Sequence, residues 1–165
     1  MNIIKTALVT LAMAGFATSA TAQDSNFYGN LGVKTYEFDT YNILARVGYN
    51  FNQYIGAEVE GSIGIIDETI DGIDFDTEWD IGGYLVGRYP VSDNFDVFAR
   101  AGYSAVRVEI SDDFDSLGAT LDGFAVGGGI QYNWDAQNGI RLGYTYNEGD
   151  GADADVVDLA YTRKF

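Results

Sequence analysis

The sequence predicts an all-β protein, an eight-stranded antiparallel up-and-down transmembrane β-barrel. Three observations point there. Alternation of apolar and polar residues with period two returns about eight times, in runs near the roughly ten residues that cross a bilayer as a tilted strand. The breaks between runs are short and long in turn, like turns on one side of a membrane and loops on the other. One parity of the runs is apolar and aromatic, while the other collects glycines, small residues and charges. No helical period competes with this after residue 23.

The opening stretch, MNIIKTALVTLAMAGFATSATAQ, stands apart. It holds one positive charge, Lys5, then an apolar run from about Ala7 to Ala17, and ends in Ala20-Thr21-Ala22. A basic start, a short apolar centre and a small-x-small site predict a signal peptide over residues 1–22, with the barrel domain over 23–165. The run is shorter than the roughly 20 apolar residues of a spanning helix.

The first run is FYGNLGVKTYEF. The second, TYNILARVGYNF, sets Tyr41, Ile43, Ala45, Val47, Tyr49 and Phe51 against Asn42, Leu44, Arg46, Gly48 and Asn50. The third, YIGAEVEGSIGI, sets Ile55, Ala57, Val59 and Ile63 against Gly56, Glu58, Glu60 and Ser62. The fourth, TEWDIGGYLVGRY, opposes Trp79, Ile81, Leu85 and Tyr89 to Glu78, Asp80, Gly82, Tyr84 and Arg88. The fifth, FDVFARAGYSAVRVEI, and the sixth, LDGFAVGGGIQYNW, repeat the pattern with Arg100 and a run of glycines on the polar side. The seventh, GIRLGYTYN, opposes Ile140, Leu142, Tyr144 and Tyr146 to Arg141, Gly143, Thr145 and Asn147. The eighth, VVDLAYTRKF, opposes Val157, Leu159, Tyr161 and Phe165 to Asp158, Ala160, Thr162 and Lys164.

The short breaks are EFDT, Asn52-Gln53, PVSDN and DAQN; the others are longer and acidic. Aromatics gather at the short turns: Tyr49, Phe51 and Tyr54, then Tyr89 and Phe95, then Tyr132 and Trp134, with Phe165 at the same level. That is the interfacial belt of a membrane barrel.

A narrow barrel has little room inside, so lumen side chains are small or interlocked. Arg46, Arg88, Arg100 and Arg141 all fall on the polar parity in mid-strand, as do Glu58, Glu60, Glu78, Asp80 and Asp96, and Asp158 of the last run should face inward where an arginine could meet it. A lone arginine there carries a large desolvation penalty and needs a carboxylate. The sequence therefore predicts a lumen ion-pair network of Arg46, Glu58, Glu60, Arg88, Arg100 and Arg141, with the two glutamates as central acceptors. The alternative is a charged ring lining a narrow pore for small solutes or ions. A soluble periplasmic lipocalin-like barrel would need an apolar interior, which this parity does not offer.

Composition removes other classes. The formal charge of −16 excludes a nucleic-acid partner, whose phosphates need a basic surface. There is no Cys for disulfides or thiolate metal sites. There is no His, so a proton-shuttling general base has no obvious occupant, and no catalytic residue, cofactor or metal site is predicted. The acidic stretches DETIDGIDFDTEWD and GDGADAD could meet Ca²⁺ or Mg²⁺ bridging lipopolysaccharide phosphates. Neither has EF-hand spacing, and a solvated negative rim is the simpler reading.

These features together resemble the small outer-membrane β-barrels of Gram-negative bacteria, the OmpA/OmpX type, over residues 23–165. The resemblance rests on the leader, the strand pattern and the C-terminus. It implies an outer-membrane location, a non-enzymatic structural or surface-interaction role, contact with membrane lipid and lipopolysaccharide, and a monomer. It also implies that Leu159, Tyr161 and the terminal Phe165 form the signal that the barrel-assembly machinery reads. Ala160 stands where glycine is common in such signals, and Arg163 where an aromatic is frequent.

Overall fold

The computed structural model describes residues 26–36, 40–66, 68–70, 73–112, 115–149 and 153–165, with side chains at all of these except 65–78 and 108–121. The predicted signal peptide, most of the EFDT turn (residues 37–39), and residues 67, 71–72, 113–114 and 150–152 of the acidic stretches lie outside what is described.

The strands are β1 (Phe27–Tyr36), β2 (Thr40–Asn50), β3 (Ile55–Ile66), β4 (Glu68–Ile70), β5 (Ile73–Ser92), β6 (Phe95–Asp112), β7 (Asp115–Asn133), β8 (Asn138–Gly149) and β9 (Asp153–Lys164). β4 is a three-residue piece pairing only with the start of β5. The other eight form a ring. Each pairs antiparallel with its neighbours in sequence, β3 pairs with β5, and β1 pairs with β9 to close the barrel. Closure leaves no bare edge in the spanning part, which a membrane requires.

Period-two patterning sets the faces. In β2, Tyr41, Ile43, Val47 and Tyr49 are exposed while Asn42, Leu44 and Arg46 are buried. In β7, Phe124, Val126, Ile130 and Tyr132 are exposed while Ala125 and Gln131 are buried. Apolar residues thus face outward and polar ones inward, the reverse of a soluble barrel. Phe27 packs edge-on against Tyr49 at 4.8 Å, Tyr49 against Phe51 at 5.6 Å, and Trp134 stacks on Tyr161 at 6.0 Å. The aromatics do concentrate at the short-turn end.

Two of these turns share one device. Asn52 Oδ1 accepts the backbone N–H groups of Tyr54 and Ile55, and Asp135 Oδ1 accepts those of Gln137 and Asn138. Each side chain caps its own turn, so four residues suffice.

The structure corrects the lengths of three strands. β5, β6 and β7 have 20, 18 and 19 residues. The PVSDN segment is mostly strand, with only Asp93 and Asn94 turning. Pro90 is tolerated because the β5–β6 register slips between Pro90 and Ser92, a bulge that needs no ladder donor there. At the other end the SDDFDS break does not stop pairing, and the β6–β7 register runs to Asp112 and Asp115. A hairpin standing in water can hold polar residues on both faces. At about 3.3 Å per residue and a tilt near 45°, such strands rise on the order of 40 Å, beyond an apolar band of about 25 Å. Their far ends therefore stand clear of the membrane.

Glycine sets how closely the strands fit inside. A Cβ at Gly102 would lie 2.0 Å from the Gly83 carbonyl oxygen, whereas one at the outward Gly83 would meet nothing within 4 Å. Gly102→Ala is expected to lower stability by roughly 1–3 kcal/mol, and Gly83→Ala by less than about 0.5 kcal/mol, measured as urea unfolding midpoints in detergent micelles.

Candidate functional site

The site is the lumen. Glu58 and Glu60 lie two residues apart on β3, so the pleat points both inward. Arg46 of β2 sits directly opposite Glu60 in the ladder. Its Nε and Nη2 reach Glu60 Oε2 at 2.9 and 2.6 Å. Arg100 Nη1 from β6 reaches the same oxygen at 2.5 Å, and Lys34 Nζ from β1 reaches Oε1 at 3.1 Å. Glu60 thus gathers three cations from three strands.

Glu58 forms the next layer. Arg141 of β8 donates to it through Nη1 at 2.5 Å and Nη2 at 3.3 Å, and the Tyr28 hydroxyl donates at 2.5 Å. Arg88 is looser, 3.5 Å away and less buried. Two further carboxylates complete the set. Asp158 meets Arg46 at 3.2 Å and Arg100 at 3.8 Å. Asp80 accepts from Lys34 Nζ at 2.7 Å, from the Tyr36 hydroxyl at 2.8 Å and from Ser62.

Neutral groups fill the remaining positions. Arg100 also donates to Thr145 Oγ1 at 2.9 and 2.6 Å. Asn30, its amide turned to donate to Thr162, accepts from Arg46 Nη1 at 3.2 Å. Three guanidinium groups lie over rings: Arg141 over Phe98 at 3.7 Å, Arg88 over Tyr28 at 4.2 Å and Arg100 over Tyr84 at 4.3 Å. The rings need space, and glycine on the lumen face provides it. Cβ atoms at Gly48, Gly82 and Gly129 would each fall within 3 Å of Tyr28, Tyr84 and Phe98 respectively.

Four cations, Lys34, Arg46, Arg100 and Arg141, and four carboxylates, Glu58, Glu60, Asp80 and Asp158, are buried at 4% exposure or less. Within this set of eight the charges balance; Arg88, less buried at 10% side-chain exposure, is a further lumen cation beside Glu58. Isolated ions at such depth are prohibitively costly, and each here has an opposite neighbour within 4 Å. A cavity of about 10 Å³ lies beside the network, against Lys34, Tyr36, Asp80, Ser104 and Asn147, room for about one water. Among the described residues no group of three or more His, Cys, Asp or Glu is arranged to hold a metal.

All six residues of the sequence-derived network lie on the lumen side. Sequence reasoning also set Asp80 and Asp158 on the inward parity, and Asp158 does meet Arg46 and Arg100; it left out Lys34 and the ring-bearing residues. Lys34 could have been found by separating the faces of the first run, where it shares parity with Tyr28 and Asn30. Leu159 and Tyr161 lie on the outer face of β9. Phe165 follows the strand, and its N–H donates to the Phe27 carbonyl at 3.1 Å.

A closed antiparallel ring with an apolar exterior, an aromatic belt and paired charges within is a transmembrane β-barrel of the smallest class. The sequence matches the model of the outer membrane protein beta-barrel domain over residues 8–165, and the chain belongs to that family of outer-membrane proteins. Solved structures with the same fold include the N-terminal β-barrel domain of Pseudomonas aeruginosa OprF, at a TM-score of 0.70 and 10% identity over 87% of this chain and 100% of that one. Neisserial surface protein A aligns at 0.61 and 15% identity over 86% and 98%. The attachment invasion locus protein Ail of Yersinia pestis aligns at 0.60 and 16% over 84% and 95%. No curated protein matches the chain.

Glu60→Gln leaves three buried cations short of an anion. It is expected to cost about 3–5 kcal/mol of unfolding free energy in detergent, against less than about 0.5 kcal/mol for Asp122→Asn on the exposed outer rim. Equal effects would show that the lumen charges are not coupled.

Proposed function

We propose that this outer-membrane barrel is non-enzymatic and closed, a structural and surface-interaction protein of the cell envelope. The observation that supports this most is the charge-balanced set of eight buried ions, which ties β1, β2, β3, β5, β6, β8 and β9 together across the lumen. A channel needs a continuous wet path, and here salt bridges and rings occupy the cross-section. The absence of His supports a non-catalytic role. Surface interaction falls to the long ends of β5, β6 and β7 and to the acidic loops. Their partners would be membrane lipid and lipopolysaccharide, with Ca²⁺ or Mg²⁺ as bridging ions. One structure of Ail is a complex with the heparin analogue sucrose octasulfate and another was determined in a phospholipid bilayer nanodisc. Residues 1–22 direct export and are then removed, insertion follows reading of Leu159, Tyr161 and Phe165 by the assembly machinery, and the barrel acts as a monomer.

In planar bilayers the purified protein is expected to show no steady conductance; long-lived open channels would overturn the closed reading in favour of a narrow pore. Deleting Phe165 is expected to reduce the heat-shifted, folded band in outer-membrane fractions severalfold. Normal insertion of the truncated chain would remove the terminal aromatic from the signal.

A further inference from the structure

Arg163 stands outside the lumen network. Odd positions of β9 face outward, so it shares its side with Leu159 and Tyr161. Its ladder neighbours are Gly29 of β1 and Asn138 of β8. That places it at the short-turn end, which faces the periplasm in barrels of this kind, at the level of Phe27, Trp134 and Tyr161. A guanidinium on the lipid side is tolerable only where its head reaches polar surroundings.

Among the described residues Arg163 makes no ion pair, and its Nε is buried without a hydrogen-bond partner. A carboxylate that feels its charge is Asp135, in the turn between β7 and β8. Asp135 is already engaged. Its Oδ1 accepts from the N–H groups of Gln137 and Asn138 at 2.8 and 2.6 Å, and the Asn138 amide spans both of its oxygens at 2.9 Å. The Asn138 amide foremost, then the Gln137 N–H, holds the Asp135 carboxyl below its ordinary value, so it stays charged at neutral pH. A fixed anion and an unclosed cation therefore sit near each other at the membrane interface. Beside them the Trp134 ring stacks on Tyr161, whose hydroxyl donates to Asn138.

We propose that Arg163, Asp135 and the Trp134–Tyr161 ring pair form a binding site for the headgroup of an ethanolamine-type phospholipid in the inner leaflet. The forked guanidinium donors match the non-bridging oxygens of a phosphodiester. The primary ammonium of ethanolamine offers N–H donors to Asp135, which choline lacks. A glycerol headgroup would leave the carboxylate facing a net negative lipid. The stacked rings take the glycerol backbone and upper acyl chain, as aromatics at this depth do. The source is lipid because the site opens outward at belt height.

Trp134 reports on the site once the other of the two tryptophans is removed by Trp79→Phe. The full-length protein carrying that change is reconstituted in phosphatidylcholine vesicles. Small equal fractions of brominated phosphatidylethanolamine, phosphatidylglycerol or phosphatidylcholine are then added in turn. Brominated phosphatidylethanolamine is expected to quench Trp134 about two- to fivefold more than the other two, the scale of a half-exposed charge pair. Arg163→Gln should reduce that quenching to the level of the bulk lipid, Arg163→Lys should keep part of it, and Asp135→Asn should raise phosphatidylglycerol to parity. Heat-dependent gel mobility verifies that each variant is folded. Equal quenching by all three lipids, or an undiminished preference in Arg163→Gln, would overturn the site. Free phosphoethanolamine in the buffer should leave the quenching unchanged, and its abolition there would overturn the lipid as the ligand.

Discussion

Glu60 is the residue on which the barrel converges. Backbone hydrogen bonds join each strand only to its neighbours, and the lipid-facing side chains gain little by packing against acyl chains, which are as apolar as they are. Something inside must hold non-neighbouring strands in one arrangement. A carboxylate at 2% exposure that accepts Lys34 from β1, Arg46 from β2 and Arg100 from β6 does this directly. Its burial is tolerable only while all three strands stay in place, and the three cations in turn depend on it. The strength of the arrangement lies in this mutual dependence more than in the net energy of any one pair, since desolvation consumes much of each attraction.

The remaining lumen chemistry follows from making that centre fit. Guanidinium groups are long and flat. They stack on Phe98, Tyr28 and Tyr84, which fixes their planes and shields their faces. Rings in so narrow a space require bare backbone beside them, hence Gly129, Gly48 and Gly82. Glycine is usually a weakness in a strand. Here its missing side chain is the volume that an arginine-ring stack occupies.

Much of this was legible in the sequence. Period two fixed the faces of β2, β3, β8 and β9 without ambiguity, because each alternates cleanly and one-residue slips would turn charges toward lipid. The same parity placed Arg46, Glu58, Glu60, Arg100 and Arg141 inside. Pairing within the lumen was less legible. Arg141 and Glu58 are separated by 83 positions, and no local pattern links them; only the curvature of the closed ring brings β8 across to β3. Strand length was also hidden. Outside the bilayer, polarity no longer marks a strand end, so Asp112 reads as loop and pairs as strand. Pro90 misled in the same way, since a bulge can absorb it.

The cancellation of charge inside the lumen has an electrical consequence. A field across a membrane does work on each elementary charge it moves, about 2.3 kcal/mol per 100 mV. It pushes the four buried cations one way and the four buried carboxylates the other. Because they are locked to one another, displacing them as a group involves no net charge and gains nothing from the field. These eight can polarise slightly, yet as a set they carry no gating charge. A core filled in this way offers little purchase to Donnan potentials that rise and fall with the salt outside the cell.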